Sequence, residues 1–475
     1  MTAYTLAGYR NTTFNLTSAD SLQMTHQGSI FVDAPNAAGI LGASGNVLTL
    51  NGVVSSVQAD AVLLSASNNS ITVGSSAMLY GGDAGVSFAA GSNAIANSGT
   101  IIGGFHGVEC AYGGNSIVNA GSILGRAGLR VGTDPASGTV VNTGEIRASR
   151  YDAVYADGAV SVTNSGVVDG ATIGINTAGS TGASTIINSG YLYGRSFAAA
   201  SVGGGADVIV NSGFMQGYDY AANLGNGSDF FDGRNGIQVG TVFGDVGNDV
   251  LYGGTSFDDL RGGAGNDQIS GGASADYLDG GADFDLVRYD FATAAVTVNL
   301  ASPAANTGEA AGDVLLNFEG IVGSNFADML IGNGDANTIV GGLGGDAIAG
   351  GAGVDMLFGG DGADVLFGEA DGDFVTGGVG GDVIRGGLGA DTFIYNVGDG
   401  GDLIQQFNEG GVQDHFDLRP YFDAIGYAGT DPRGAGLMQV LQSGVDTDVY
   451  LQGTFMFRIE GVVAAAINDS YFLFQ

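Results

Sequence analysis

The chain has 475 residues, of which 89 are Gly, 49 are Asp or Glu and 13 are Arg, with no Lys, for a net charge of −36. An apolar fraction of 44% excludes a wholly disordered acidic chain, and the acidic balance excludes nucleic acid as a partner and disfavours anionic lipid. A single Cys, Cys110, excludes an internal disulfide framework. No run approaches the ~20 apolar residues of a membrane-spanning helix. The opening residues, MTAYTLAGYRNTTF, lack the basic and apolar segments of a Sec signal. The net charge is −6 over residues 1–223, −22 over 224–394 and −8 over 395–475. More than half of it therefore sits in the middle third.

Residues 1–223 repeat with a long period. Asn97-Ser98-Gly99, Asn119-Ala120-Gly121, Asn142-Thr143-Gly144, Asn164-Ser165-Gly166, Asn188-Ser189-Gly190 and Asn211-Ser212-Gly213 recur every 22 to 24 residues. Two residues after each Gly stands an apolar side chain: Ile101, Ile123, Ile146, Val168, Leu192 or Met215. A weaker phase runs back through Gly28/Ile30, Gly52/Val54 and Ser76/Met78. Asn and Gly tolerate sharp corners, and the flanks alternate apolar and small polar residues as half-buried strands do. This period, without a helical pattern, predicts a parallel β-solenoid in which each coil buries its apolar face on its neighbours. The corner Asn are expected to stack as a ladder. Arg126, Arg130, Arg147 and Arg150 form the one basic cluster, expected to be a solvated face balanced by nearby acids.

Residues 224–394 repeat every nine. Five units run without a gap from Gly244 to Arg288 and eight from Gly323 to Ile394, on the template G-G-x-G-x-D-x-U-x with U apolar. U is Leu, Ile, Val or Phe in every unit, and position six is Asp except at Asn337. An outlying unit, Leu224 to Asp232, precedes them after a two-residue slip. Six Gly-rich residues make a turn and three a short strand with one inward side chain. Two units complete a coil, so units n and n+2 stack. Asp carboxylates and turn carbonyls then converge as hard oxygen ligands suited to Ca²⁺, and the lack of soft ligands argues against Zn or Cu.

These repeats resemble the RTX family, the calcium-binding nonapeptide β-roll of proteins exported by type I secretion. The resemblance implies Ca²⁺ held through Asp249, Asp258, Asp267, Asp276 and Asp285 in the first array. In the second it implies Asp328, Asp346, Asp355, Asp364, Asp373, Asp382 and Asp391. It also implies an extracellular protein and passage through the type I machinery. The long-period region is similar to the β-helical repeats of bacterial surface proteins.

The fold class expected is all-β. A parallel β-solenoid occupies 1–223, RTX β-rolls occupy 224–288 and 323–394, a β-hairpin-like spacer occupies 289–322, and a small β cap occupies 395–475. In that tail, Asp402 to Phe407 and Asp414 to Leu418 resemble the region that follows such arrays. The apolar end, Asp469 to Gln475, resembles an uncleaved type I secretion signal, and it could equally be a closing edge strand. Residues 1–27 show no clear cap and are expected to form a subunit or envelope contact.

Catalytic constellations are missing from the sequence. His26, His106 and His415 stand far apart, and neither H-E-x-x-H nor G-x-S-x-G occurs. Cys110 reads as a buried solenoid residue. A solenoid followed by RTX repeats also describes polysaccharide-active enzymes such as mannuronan epimerases. The nearest candidate here, His106 with Glu109, Tyr112 and Arg126, does not match their motif. The expectation is a non-enzymatic extracellular structural protein that folds on Ca²⁺ and self-associates at the cell surface as an S-layer or filament. The alternative is an adhesin that binds a cell-envelope glycan, ahead of a polysaccharide lyase or uronan epimerase.

Overall fold

The computed structural model describes residues 2–132 and 138–474, and Gln475 of the apolar C-terminal run lies outside them. The chain is all-β, and among the described residues the one α-helix is the short segment Arg419–Ala424. Two compact units divide it, Met1–Asp267 and Gln268–Gln475.

The first unit is a parallel β-solenoid, as the long period predicts. A coil contributes three short strands, such as Ser116–Asn119, Ser122–Gly125 and Ala127–Val131. Each pairs in parallel with its counterpart one coil on: Gly138–Asn142, Glu145–Ala148 and Val154–Ala156. Equivalent side chains therefore stack. Ile95, Ile117, Val140, Val162, Ile186 and Ile209 form one inward row. Ile101, Ile123, Ile146, Val168, Leu192 and Met215 form another. All twelve are buried, each contributing roughly 1.5–3 kcal/mol of transfer free energy.

The corner Asn form the expected ladder. The amide Nδ2 of Asn97, Asn119 and Asn142 donates to Oδ1 of the next Asn at 2.7 Å, and the amides of Asn164 and Asn188 do so at 2.8 Å. Each Asn both donates and accepts, so these fully buried side chains are satisfied. Asp in their place would stack carboxylates with no donor between them. One phase assignment fails. Leu79, not Met78, pairs with Val54 and Ile101. Met78 is 44% exposed. The corner leading to Leu79 is longer than the Asn-Gly corners, which shifts the inward position by one.

The solenoid narrows towards residue 267. Val208 pairs with Phe230 and Phe230 with Val250, so successive coils span 22 and then 20 residues. On the opposite sheet two strands per coil fuse into the ten-residue strands Phe214–Asn223 and Ile237–Val246, which pair through two register shifts. The coil thereby drops from three strands to two. The two-residue slip after Leu224 to Asp232 is this 20-residue coil.

The second unit is built on two-strand coils. Thr338–Leu343, Met356–Asp361, Phe374–Val379 and Thr392–Ile394 stack on one side. Met329–Ile331, Ala347–Gly351, Val365–Ala370 and Val383–Leu388 stack on the other. Partners lie eighteen residues apart, as in Thr338 opposite Met356, so units n and n+2 are neighbours. Every apolar U side chain is buried.

Residues 289–322 do not form a hairpin. Val314–Leu316 pairs in parallel with Tyr277–Ala282, and Gly320–Val322 lies in parallel between Leu286–Arg288 and Thr338–Leu343. Thr297–Asn299 pairs in parallel with Met329–Ile331. The physical reason is a pair of long-range hydrogen bonds. Oδ1 of Asp313 accepts the N–H of Asp276 and Oε2 of Glu319 accepts that of Asp285, both at 2.9 Å, which draws the strands after them onto the coil below. The tail closes both sheets. Thr454–Ile459, part of an antiparallel three-strand meander, pairs with Asp402–Gln405. Phe472–Leu473 pairs with His415–Asp417, as a closing strand would. Stacked rings of Tyr395, Phe416, Phe457 and Phe472 fill this end.

Candidate calcium sites

One residue per turn, standing just before an inward strand, holds the coils in register. Its side-chain oxygen accepts the backbone N–H of its counterpart one coil earlier. At the first turn this acceptor is Asp20, whose Oδ1 accepts from Thr2 N–H at 2.8 Å and whose Oδ2 is met by Thr17, and in the coils that follow it is Asn. Asn46, Asn69, Asn93 and Asn115 accept from Asp20, Asn46, Asn69 and Asn93 at 2.8–3.1 Å. Further along it is Asp: Asp229, Asp249 and Asp267 accept from Asp207, Asp229 and Asp249 at 2.6–2.8 Å. In the nonapeptide coils of the second unit it is Asp at position six. Asp346, Asp364, Asp382 and Asp402 form one stack at 2.7–3.0 Å. Asp355, Asp373, Asp391 and Asp414 form the other at 2.7–3.1 Å.

The two residue types differ in their second polar atom. The amide nitrogens of Asn46, Asn69, Asn93 and Asn115 each donate to the carbonyl three residues before them. Asn337 does the equivalent, donating to the Glu319 carbonyl at 3.2 Å. A carboxylate has no proton to give. Oδ2 of Asp229, Asp249, Asp346, Asp355, Asp364, Asp373 and Asp391 is buried and accepts no hydrogen bond. Leaving one such atom unpaired costs about 1–3 kcal/mol, and more when it is charged.

Glycine leaves the room these oxygens need. A Cβ on Gly341 would collide with Oδ2 of Asp346 and the carbonyl of Gly359, and one on Gly359 with Oδ2 of Asp364 and the carbonyl of Gly377. Position one thus lies where a carboxylate oxygen and a carbonyl of the next coil converge. Positions two and four turn left-handed, as at Gly342 (φ +112°) and Gly344 (φ +123°). Among the described residues no three His, Cys, Asp or Glu side chains cluster as a metal site by themselves. Carbonyls would therefore supply most of the ligands. Hard oxygen donors with an unneutralised charge fit Ca²⁺.

All twelve position-six Asp are at most 3% exposed. They are not equivalent. Asp258 accepts from the N–H of Gly254 at 2.7 Å within its own turn. Asp328 receives the N–H groups of Val296 and Ser324 and the Ser324 hydroxyl, so both of its oxygens are occupied by protein.

Residues 241–256, 252–287, 322–357, 358–393 and 367–404 match the RTX calcium-binding nonapeptide repeat (4 copies). The chain carries RTX calcium-binding repeats. Two solution structures from the Azotobacter vinelandii mannuronan C5-epimerase are similar to it. The AlgE6R3 subunit is 30% identical over 32% of this chain and 79% of its own, with a TM-score of 0.19. The AlgE6R2 subunit is 27% identical over 32% of this chain and 91% of its own, with a TM-score of 0.20. A search of curated proteins finds no match.

RTX repeats bind calcium, and the ladder shows which acids share their setting here. Asp207, Asp229, Asp313, Asp402 and Asp414 are buried like the position-six Asp. The nonapeptide frame misses all but the displaced Asp229. A shorter signal marks every one of them, an Asp followed two residues on by an inward apolar residue: Ile209, Phe231, Leu315, Ile404 and Phe416.

Outside the RTX turns the polar residues pair with one another. His106 Nδ1 lies 3.6 Å from Glu109, and Arg130 lies 3.2 Å from Glu109 and from Asp157. Arg147 pairs with Glu145 and Asp169. Arg126 lies over the Phe105 ring and Arg150 over Tyr151. Arg130 and Arg147 are thus balanced by acids as expected, whereas Arg126 and Arg150 lie on aromatic rings. Cys110 is fully buried, which pushes its thiol up to about 12.

Burial raises the ladder carboxyls. Asp249, Asp346, Asp355 and Asp364 rise to about 6 and Asp373 to about 7. Asp402, buried against Asp382, rises to about 8. Each binds its proton more tightly folded than unfolded. Protonation therefore adds stability that is complete below the unfolded pKa of about 4 and is lost as pH rises through about 6 to 7. In EGTA the melting temperature should rise as pH falls from about 7.5 to about 5.5. In saturating Ca²⁺ the trend should reverse, because protons then compete with the metal. Melting curves across this range check both, and acid destabilisation in EGTA would contradict the buried-carboxylate account.

Proposed function

We propose that this chain is an extracellular, non-enzymatic structural protein whose RTX turns fold on Ca²⁺ after type I export and which then assembles at the cell surface. The observation that carries this reading is the stack of buried carboxylates whose Oδ2 atoms accept no hydrogen bond. In a cytosol poor in Ca²⁺ their mutual burial opposes folding, which keeps the chain exportable. Outside, millimolar Ca²⁺ meets sites of the extracellular class, with Kd of ~10⁻⁴ to 10⁻³ M. Metal at ten times Kd adds about 1.4 kcal/mol per site, so several sites add on the order of 10 kcal/mol, comparable with the stability of a whole domain.

In this reading the position-six Asp, with the turn carbonyls, hold the metal. Its charge offsets carboxylate repulsion and gives Oδ2 a partner. Circular dichroism of chelated protein titrated with Ca²⁺ should show β signal growing cooperatively, and electron microscopy of the product should show sheets or filaments. A spectrum and melting curve unchanged by EGTA would overturn calcium-triggered folding. Monomers at every Ca²⁺ concentration would overturn assembly.

A glycan-binding role has its own support. On the first unit Tyr191, Tyr193 and Phe214 lie 5.6–6.2 Å apart, and Tyr220 packs against Phe197 and Phe243. Tyr191 is 53% and Tyr218 76% exposed. Aromatic faces of this kind stack on the apolar face of sugar rings. The nearby Arg195 and Arg234 are already paired with Asp169 and Asp232, so stacking rather than charge would set affinity. If this surface binds envelope polysaccharide, Tyr191→Ala with Tyr218→Ala should weaken co-sedimentation about tenfold without altering the Ca²⁺ titration. Undiminished sedimentation would rule the surface out.

A further inference from the structure

Two buried carboxylates precede the RTX match, which begins at residue 241. Asp207 and Asp229 take the ladder position in coils of the narrowing solenoid and are 1% and 2% exposed. Each spends one oxygen on the ladder: Oδ1 of Asp207 accepts from Ser184 N–H and Oδ1 of Asp229 from Asp207 N–H. The other oxygen of each, Oδ2, is buried; that of Asp229 accepts nothing, and the Asp207 carboxylate is met further only by a loose approach of the Gly203 N–H.

The turns around them are built as the RTX turns are. Gly205 N–H donates to the Asn226 carbonyl at 3.0 Å and Asn226 N–H to the Gly203 carbonyl at 2.8 Å, stacking one turn on the next. Gly227 N–H continues the stack to the Val246 carbonyl at 2.8 Å. Gly205 (φ +114°), Gly225 (φ +86°) and Gly227 (φ +150°) are left-handed, as Gly263 and Gly265 are within the matched repeats. A Cβ on Gly227 would collide with the Gly205 carbonyl, and one on Gly247 with the Gly227 carbonyl. Backbone carbonyls of successive turns therefore crowd the glycines here too, with the Asp229 carboxylate beside the Gly205 carbonyl at Gly227.

We propose that Asp207 and Asp229 bind calcium in the turns 203–207 and 225–229, extending the metal row into the coils that precede the RTX repeats. The chain supplies its own contrast. Where the ladder residue is Asn, as at Asn69 and Asn93, the side-chain amide donates to the turn carbonyl at 2.6 Å and no charge needs neutralising. Ca²⁺ does in the Asp turns what the amide does in the Asn turns. The consequence is mechanical: the last coils of the long-period solenoid become part of the calcium-dependent block.

This inference rests on calcium binding by the RTX turns. The test compares full-length wild type with the double variant Asp207→Asn, Asp229→Asn, counting bound Ca²⁺ by equilibrium dialysis at saturation. Asn keeps the ladder acceptor and regains the amide donor, so the variant should match the wild-type β spectrum in saturating Ca²⁺ and bind about two fewer ions. If the pair unfolds, Asp229→Asn alone should bind about one fewer. Equal, non-zero counts in wild type and variant would overturn this inference and leave the RTX sites standing. A wild type that binds no Ca²⁺ would overturn both.

Discussion

The structure depends on one hydrogen bond repeated coil after coil, from a backbone N–H to a side-chain oxygen on the turn above. A parallel solenoid must satisfy the polar groups of its corners as well as those of its strands. Here the corner donor is met by Asn, Ser or Asp, and the same bond fixes the register of the strand that follows. Apolar rows then stack on themselves because the ladder sets their phase.

The choice of acceptor divides the chain chemically. An Asn closes its turn with its own amide. An Asp leaves an oxygen over unless other donors of its turn meet it, as at Asp20 and Asp328, and in a buried turn a leftover oxygen needs a cation or a proton. The change from Asn46 through Asn115 to Asp207 and beyond marks where the fold stops being self-sufficient. Asn337, alone among the thirteen in-frame units, reverts to the self-sufficient chemistry by donating to the Glu319 carbonyl. Twelve of the 26 acids in residues 224–394 are position-six Asp of these turns, so formal charge overstates what a partner meets once the turns are filled.

Much of this was legible in the residues. The Asn-Gly corners, the period of nine and the inward U positions each have a local cause, and the strands lie where those causes put them. What escaped depended on distant partners. Val296, Val298 and Leu300 alternate as a strand, and a polar turn and the apolar Leu315, Phe318 and Ile321 follow as in a hairpin, but nothing local says that Asp313 and Glu319 bind backbone groups of Asp276 and Asp285. Met78 was misphased because a longer corner changes which neighbour points inward. Asp207 was overlooked because its glycines are spaced differently, although Asp207-Val208-Ile209 keeps the pattern that matters. A frame of three residues, Asp-x-apolar, tracks the ladder better than the frame of nine, since the ladder bond and the inward side chain are both fixed within it.

Hydrogen exchange, read by mass spectrometry with Ca²⁺ and with EGTA, tests the central claim most directly. The division between Asn and Asp turns predicts that amides between residues 46 and 119, in coils whose ladder residue is Asn, keep their protection in EGTA. Amides between residues 341 and 391 should lose theirs. Loss of protection in both regions alike, or in neither, would contradict it.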